Sequence, residues 1–291
     1  MGVIENALEK LRRNGTGPDT SGMRHQHIVL EARCSAPEPE VARARVITLD
    51  RTQLRAAGCL PEVGQELRFA DYYRSVKRPI IQRALATGAA ANQRLILVTS
   101  SLPAEGKSFT ALNLALSIAR ERDLSVLLID ADFAKAQIGR VLGVHEDLGL
   151  LDAVSDPSLD AESLVIGTNV KGLEILPGGR FAGSAAELVG SARMSEITAR
   201  LLARNPRRLV LFDSAPVLVS SEARALNQLP GQIILVARSG VTPRRALQDA
   251  IAQLDNKKLQ GLVLNNANAK SHSHYYGYPQ RIGHEAGEDV L

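Results

Sequence analysis

Short unbroken apolar runs alternate along the chain with longer segments in which apolar positions recur every three or four residues. Leu95-Ile96-Leu97-Val98, Val126-Leu127-Leu128-Ile129 and Leu209-Val210-Leu211-Phe212 contain no polar position. Runs without alternation mark strands buried on both faces. The pattern predicts strands at 94–100, 125–130, 173–176, 208–213, 231–237 and 260–265. It predicts helices at 107–121, 186–204, 220–228 and 243–254. Strands alternating with helices build an α/β fold with a mostly parallel central sheet flanked by helices. Ligands then bind beyond the carboxyl ends of the strands.

Before this core the pattern changes twice. Residues 1–14 read as a short amphipathic helix with Val3, Ile4, Ala7, Leu8 and Leu11 on one face, and residues 15–44 as a linker containing Pro37-Glu38-Pro39-Glu40. Residues 45–65 hold a β-like run, Arg45 to Leu49, and a helical turn up to Gly58, an extension expected to pack on the core. A helix is predicted over 66–86, with Leu67, Phe69, Ala70, Tyr73, Val76, Ile80 and Ile81 on one side. The main domain is expected to span 66–267. The polar remainder, 268–291, contains Tyr275-Tyr276-Gly277-Tyr278 and reads as a flexible tail.

Composition narrows the picture modestly. The chain has 291 residues, 45% of them hydrophobic, enough for one ordinary α/β domain with extensions. Aromatics are 3% and Trp is absent, so the core must be Leu, Val, Ile and Ala. A formal charge of +4 is too small to argue for nucleic acid, and none is expected as a partner. Cys34 and Cys59 have no metal or disulfide spacing, which suits a reducing cytosol. No apolar run is long enough to span a bilayer and no signal peptide is read, so membrane association would come through a partner or a surface helix.

The chemistry concentrates at three strand ends. After the first core strand comes Ser100-Ser101-Leu102-Pro103-Ala104-Glu105-Gly106-Lys107-Ser108, followed by an Ala/Leu-rich helix. Strand, tight loop and helix form the context of a phosphate-binding loop. Backbone N–H groups at the helix start have no partner within the helix, and the dipole adds positive charge. Gly106 lets the backbone approach phosphate oxygens, Lys107 brings a full charge to them, and Ser108 offers a hydroxyl to Mg²⁺. Two further apolar strands end in acid, at Asp130-Ala131-Asp132 and at Asp213-Ser214-Ala215-Pro216. In a parallel sheet these ends share one edge with the loop. Asp213 is expected to hold a Mg²⁺ water, Asp130 to lie nearest the γ-phosphate as proton acceptor, and Asp132 to help place the metal. Asn265, closing the last core strand, reads either as a contact to adenine or as a turn former.

Together the motifs Ser-x-Pro-x-Glu-Gly-Lys-Ser, Leu-Leu-Ile-Asp-x-Asp and Leu-Phe-Asp-x-x-Pro resemble those of the bacterial tyrosine kinases, in the MinD/ParA-like branch of phosphate-loop proteins. The resemblance covers roughly residues 66–278. The N-terminal helix, the extension and Asp-Ala-Asp-Phe-Ala-Lys look most like the exosortase-associated autokinases. It implies ATP and Mg²⁺ as cofactors and autophosphorylation on C-terminal tyrosines, in trans within a ring of subunits, in exopolysaccharide and capsule synthesis. By position it implies nucleotide contacts from Ser101, Pro103, Ala104, Glu105, Gly106, Lys107, Ser108, Phe109 and Asn265. Lys107, Asp130 and Asp132 would be catalytic, Ser108, Asp130 and Asp213 metal-associated, and Tyr275, Tyr276 and Tyr278 the acceptors. Asp71-x-x-Arg74-x-x-Lys77 resembles the family's oligomerisation motif. Implied partners are a membrane-bound polysaccharide co-polymerase as activator and a tyrosine phosphatase, with the chain cytoplasmic and peripheral at the inner membrane.

Ser101 stands where the general phosphate-loop pattern has Gly. The chain departs from the family where Ala104 replaces the usual loop Gly, Ala134 stands where an Arg is common, and Ser184-Ala185 replaces Asn-Pro. The alternative reading is a positioning ATPase of the MinD/ParA type, which hydrolyses ATP without phosphorylating protein. That group has an early loop Lys where this chain has Leu102-Pro103.

Overall fold

A computed structural model describes residues 45–180 and 184–267. The helix read over 1–14, the linker, Cys34 and the tyrosines Tyr275, Tyr276 and Tyr278 lie outside the described residues. In chain order the elements are β1 (Val46–Ile47), α1 (Arg51–Ala56), α2 (Glu66–Ala84), β2 (Leu95–Ser100), α3 (Lys107–Ile118), β3 (Ser125–Ala131), α4 (Gln137–Leu142) and α5 (Leu150–Ser155). They continue with β4 (Ile166–Thr168), β5 (Leu173–Leu176), α6 (Ala185–Val189), α7 (Ala192–Arg204), β6 (Arg208–Ser214), α8 (Ser221–Leu226), β7 (Gln232–Arg238), α9 (Arg244–Gln253) and β8 (Leu259–Asn265).

The eight strands form one sheet in the order β1-β4-β5-β3-β6-β2-β7-β8. Every neighbouring pair is parallel except β4 with β5. Side chains of a strand point alternately to opposite faces, and the apolar runs divide accordingly. Leu95, Leu97, Leu127, Ile129, Val210 and Phe212 pack on the face covered by α5 to α9. Ile96, Val98, Val126, Leu128, Leu209 and Leu211 pack on the face covered by α1, α2 and α3. Both faces are buried, which is why these strands need no polar alternation.

The six strands read from the pattern are present. β4 was missed because it is three residues long and pairs through Gly167. The helix expected over 186–204 is two helices. Chain direction changes at Gly190, and Ser191 starts α7 by accepting a hydrogen bond from Met194 N–H at 3.2 Å. On α2 the buried stripe is Tyr73, Lys77, Ile80 and Ala84, while Leu67, expected on that side, is 85% exposed.

Lys77 corrects the expectation of an oligomer contact. It is 7% exposed, its Nζ donates to Ser117 O at 2.8 Å, and it pairs with Glu121 at 2.7 Å. Its charge docks α2 onto the end of α3 within the subunit, at the helix terminus where a cation is favoured. Asp71 and Arg74 remain exposed and pair with each other at 2.8 Å.

Candidate active site

β2 delivers the chain to the loop at Ser100, and α3 starts at Lys107 with Gly106 as its N-cap. Gly106 has φ +93°, in the left-handed region, and a Cβ there would lie 1.9 Å from Asn265 Nδ2. Backbone conformation and close approach each demand glycine at this position. Ala104 also has a positive φ, +63°, which costs a residue with a Cβ about 1–2 kcal/mol. The family's glycine is absent where the loop needs it. Ala104→Gly is therefore expected to stabilise the protein by about 0.5–1 kcal/mol after the entropy that glycine adds to the unfolded chain. Denaturant unfolding checks this, and a loss of stability would show that the loop does not hold Ala104 in that conformation.

No side chain caps the N-terminus of α3, so the free N–H groups of its first turn are left for a ligand. Lys107, 7% exposed, opens this turn and its Nζ lies 2.7 Å from Asp132 Oδ2. Burial alone would lower the Lys107 pKa. Asp213, Asp132 and Asp130 together outweigh it and raise the pKa above the ordinary value, so the ammonium is held charged.

β3 and β6 are adjacent and parallel, and their register places Asp130 directly beside Asp213. β6 lies between β3 and the loop-bearing β2, so Asp213 sits between the second acidic motif and the phosphate loop. Asp130 accepts from Gly139 N–H at 2.7 Å through Oδ2, and a side chain at Gly139 would come within 3.3 Å of the same oxygen. Burial raises the Asp130 pKa to about 6 against the lowering by that hydrogen bond, with Asp132 adding to the rise. Burial raises Asp213 further, to about 8, opposed by Lys107 and reinforced by Asp130. The loop after β5 closes the site from the side. A Cβ on Gly178 would lie 2.8 Å from Asp130 O, and Asp152 pins the loop by accepting from Gly149 and Arg180 N–H groups at 2.8 and 3.0 Å.

Buried oxygens without a well-formed hydrogen bond gather at this rim, among them both of Asp213, Oδ1 of Asp130 and the Oγ atoms of Ser101 and Ser108, the last lying near enough to Asp213 to lower its pKa. Buried polar atoms are nearly always satisfied, so orphans gathered at one place mark a ligand site. No three His, Cys, Asp or Glu side chains among the described residues form a metal-binding cluster. One or two carboxylates and a hydroxyl suit Mg²⁺, which keeps waters and takes further ligands from phosphates. Ser108, Asp130 and Asp213 fit that role.

The structure thus brings Ser101, Glu105, Gly106, Lys107, Ser108, Asp130, Asp132, Asp213 and Asn265 to one sheet edge. Pro103 and Ala104 lie exposed on the loop. The Phe109 ring packs edge-on against Phe69 of α2 with centroids 5.6 Å apart, while its backbone N–H belongs to the first turn of α3. Its side chain belongs to the α2–α3 interface. Asn265 Nδ2 donates to Glu105 O at 3.0 Å, so that amide shapes the loop. Sequence reasoning missed Gly139, Gly178 and Thr242. Gly139 and Thr242 act through hydrogen bonds between segments separated along the chain, and no local pattern announces them.

A loop of free N–H groups with Lys107 at the helix start and acids at the neighbouring strand ends is the arrangement of a phosphate-loop protein. No family model matches the chain. It is 33% identical over 185 residues to tyrosine-protein kinase YwqD of Bacillus subtilis, covering 63% of this chain and 76% of that protein. It is 32% identical over 195 residues to the putative tyrosine-protein kinase EpsB of Ralstonia solanacearum, covering 66% of this chain and 25% of that protein. Succinoglycan biosynthesis transport protein ExoP of Rhizobium meliloti is 30% identical, over 68% of this chain and 25% of its own length. The chain therefore spans about a quarter of the EpsB and ExoP proteins. The VpsO kinase domain superposes with a TM-score of 0.59 at 28% identity, covering 72% of this chain and all of that one. The kinase domain of the Escherichia coli tyrosine kinase ETK shares the fold, with a TM-score of 0.61 at 22% identity over 72% of this chain and 81% of that chain. The chain belongs to the family of bacterial tyrosine-protein kinases.

Proposed function

We propose that the chain transfers the γ-phosphoryl group of ATP to the tyrosines of its own C-terminal segment, Tyr275, Tyr276 and Tyr278, in trans within a homo-oligomer. The observation that carries this reading is the convergence of Lys107, Asp130 and Asp213 on one rim, with orphaned oxygens facing the same place. In the reaction the tyrosine oxygen attacks the γ-phosphorus, the bond to the bridging oxygen breaks and ADP leaves. The phenolic proton passes to Asp130, whose Oδ1 has no other partner and whose pKa of about 6 leaves it a base at pH 7. Lys107 and the backbone of the loop orient the phosphates, and Asp132 holds Lys107 in reach of them. Mg²⁺ held by Ser108 and Asp213, leaving Asp130 Oδ1 for the proton, would neutralise charge on the phosphoryl oxygens.

From Ala267 to Tyr275 the extended chain reaches at most about 28 Å, which suits an active site on a neighbouring subunit. Asp71 and Arg74 on exposed α2 are the proposed subunit contact. The activator in this reading is a polysaccharide co-polymerase in the inner membrane, the output is control of exopolysaccharide chain length, and a tyrosine phosphatase resets the tail. The succinoglycan role in the name of ExoP supports the polysaccharide context. No helix among the described residues is long and apolar enough to cross a membrane.

Incubation with ATP and Mg²⁺, with and without the activator's cytosolic segment, tests the reading by mass spectrometry of the tail. Phosphate on Tyr275, Tyr276 or Tyr278 is the expected result. Phosphate release with an unmodified tail would replace it with the positioning-ATPase reading.

A further inference from the structure

Glu105 is a buried carboxylate in the middle of the phosphate loop, 3% exposed, and the chemistry above gives its side chain no work. Both of its oxygens are engaged. Oε2 accepts from Leu102 N–H at 2.9 Å, closing the loop on itself. Oε1 accepts from the Thr242 hydroxyl, which in turn accepts from Arg238 N–H at 2.8 Å. Thr242 lies in the turn between β7 and α9, on a segment of the chain remote from the loop. The same turn is fastened to the end of β8 by Ser239 N–H donating to Asn265 O at 2.9 Å, and Asn265 Nδ2 returns to Glu105 O at 3.0 Å. Glu105 therefore ties the loop to two neighbouring strand ends through side chain and backbone alike.

A short loop that must aim several N–H groups at one anion is strained, and here Ala104 stands at a position with φ +63° where glycine would relieve it. We propose that Thr242 is a positioning residue for nucleotide binding: its hydroxyl, anchored by Arg238 N–H, holds Glu105 so that the loop is already shaped before nucleotide arrives. A hydrogen bond to a buried charged group contributes more than a neutral one. A loop that must be ordered at binding lowers affinity by the fraction of molecules in which it is competent.

The inference rests on the reading of the site as a nucleotide cradle, and the test separates the two. ATP and ADP affinities are measured by calorimetry with Mg²⁺ for the wild-type chain, Thr242→Val and Thr242→Ser, alongside thermal unfolding without nucleotide. Wild type is expected to bind. Thr242→Val, which keeps the shape and loses the hydroxyl, is expected to bind both nucleotides about tenfold or more weakly. Thr242→Ser is expected to recover affinity to within about threefold. Rescue by Ser is the readout that a packing role would not produce, since Ser removes the methyl that Val keeps. Equal affinity of the wild-type and Val chains would overturn the positioning role while leaving the cradle intact, as would a Ser variant as weak as Val. A wild-type chain that binds no nucleotide would overturn both. Should the Val variant not fold, Thr242→Ala takes its place, since it also removes the hydroxyl that holds Glu105, and affinity unchanged from wild type overturns the proposal in the same way.

Discussion

Lys107→Met is expected to abolish nucleotide binding and, with it, all phosphotransfer. The substitution removes the one ammonium that Asp213, Asp132 and Asp130 jointly hold charged at this rim. It also removes the ion contact to Asp132. A buried carboxylate deprived of its counter-charge costs about 3 kcal/mol, so the nucleotide-free variant should unfold earlier than wild type at neutral pH. The deficit has a direction in pH. Without Lys107, Asp130 and Asp213 ionise at still higher pH, and each contributes stability that is present below its unfolded pKa and lost as pH rises through its folded one. The deficit should therefore shrink toward pH 4. Asp130→Asn makes the contrast. It keeps Lys107 and the loop, so binding persists, while the oxygen that takes the tyrosine proton is gone and turnover falls by about 10²–10⁴. Calorimetric titration with nucleotide and a tail-phosphorylation assay check both variants. Normal turnover in either would remove that residue from the chemistry.

Much of this arrangement was legible in the residues, because the signals are local. An apolar run buried on both faces has one appearance, and Asp130 and Asp213 each follow such a run directly. A parallel sheet does the rest by placing the ends of β2, β3 and β6 at one edge. The order of those strands was not legible. It puts β6 between β3 and β2, and only that order makes Asp213 the central acid. Lys77 shows the opposite case. Its spacing from Asp71 and Arg74 placed it in an exposed motif, but the helix turns it inward to Ser117 and Glu121. A charged side chain with an apolar stem can be buried wherever a helix C-terminus and a carboxylate receive it, and neither is visible from the spacing on α2. Which face of α3 the Phe109 ring occupies was not legible either, since its place three residues after Gly106 does not say that the ring meets Phe69. The contacts of Gly139 and Thr242 join segments apart in sequence, so only the folded chain displays them.

Asp213→Asn is expected to reduce phosphotransfer about a thousandfold by removing the charge that anchors the cation side of the site. It should also make the nucleotide-free protein more stable. Asp213 is fully buried, and its pKa is pushed up to about 8 by that burial against the lowering by Lys107 and the Ser108 hydroxyl. An acid whose folded pKa is raised holds a proton that the unfolded chain releases. Wild-type stability from this group is complete below about pH 4 and drains away as pH rises to about 8. Asp130, at about 6, drains in the lower part of the same range. Between pH 6 and 8 the difference between wild type and Asp213→Asn therefore belongs to Asp213, since the histidines are common to both chains and cancel. Thermal unfolding across that window should show the wild-type Tm falling relative to the variant, and Mg²⁺ with nucleotide should raise the wild-type Tm more than the variant's. Parallel Tm profiles from pH 6 to 8 would mean that Asp213 is not holding a proton in the free protein. The acid at the end of β6 would then have been ionised from the start and needed no cation to draw the proton off.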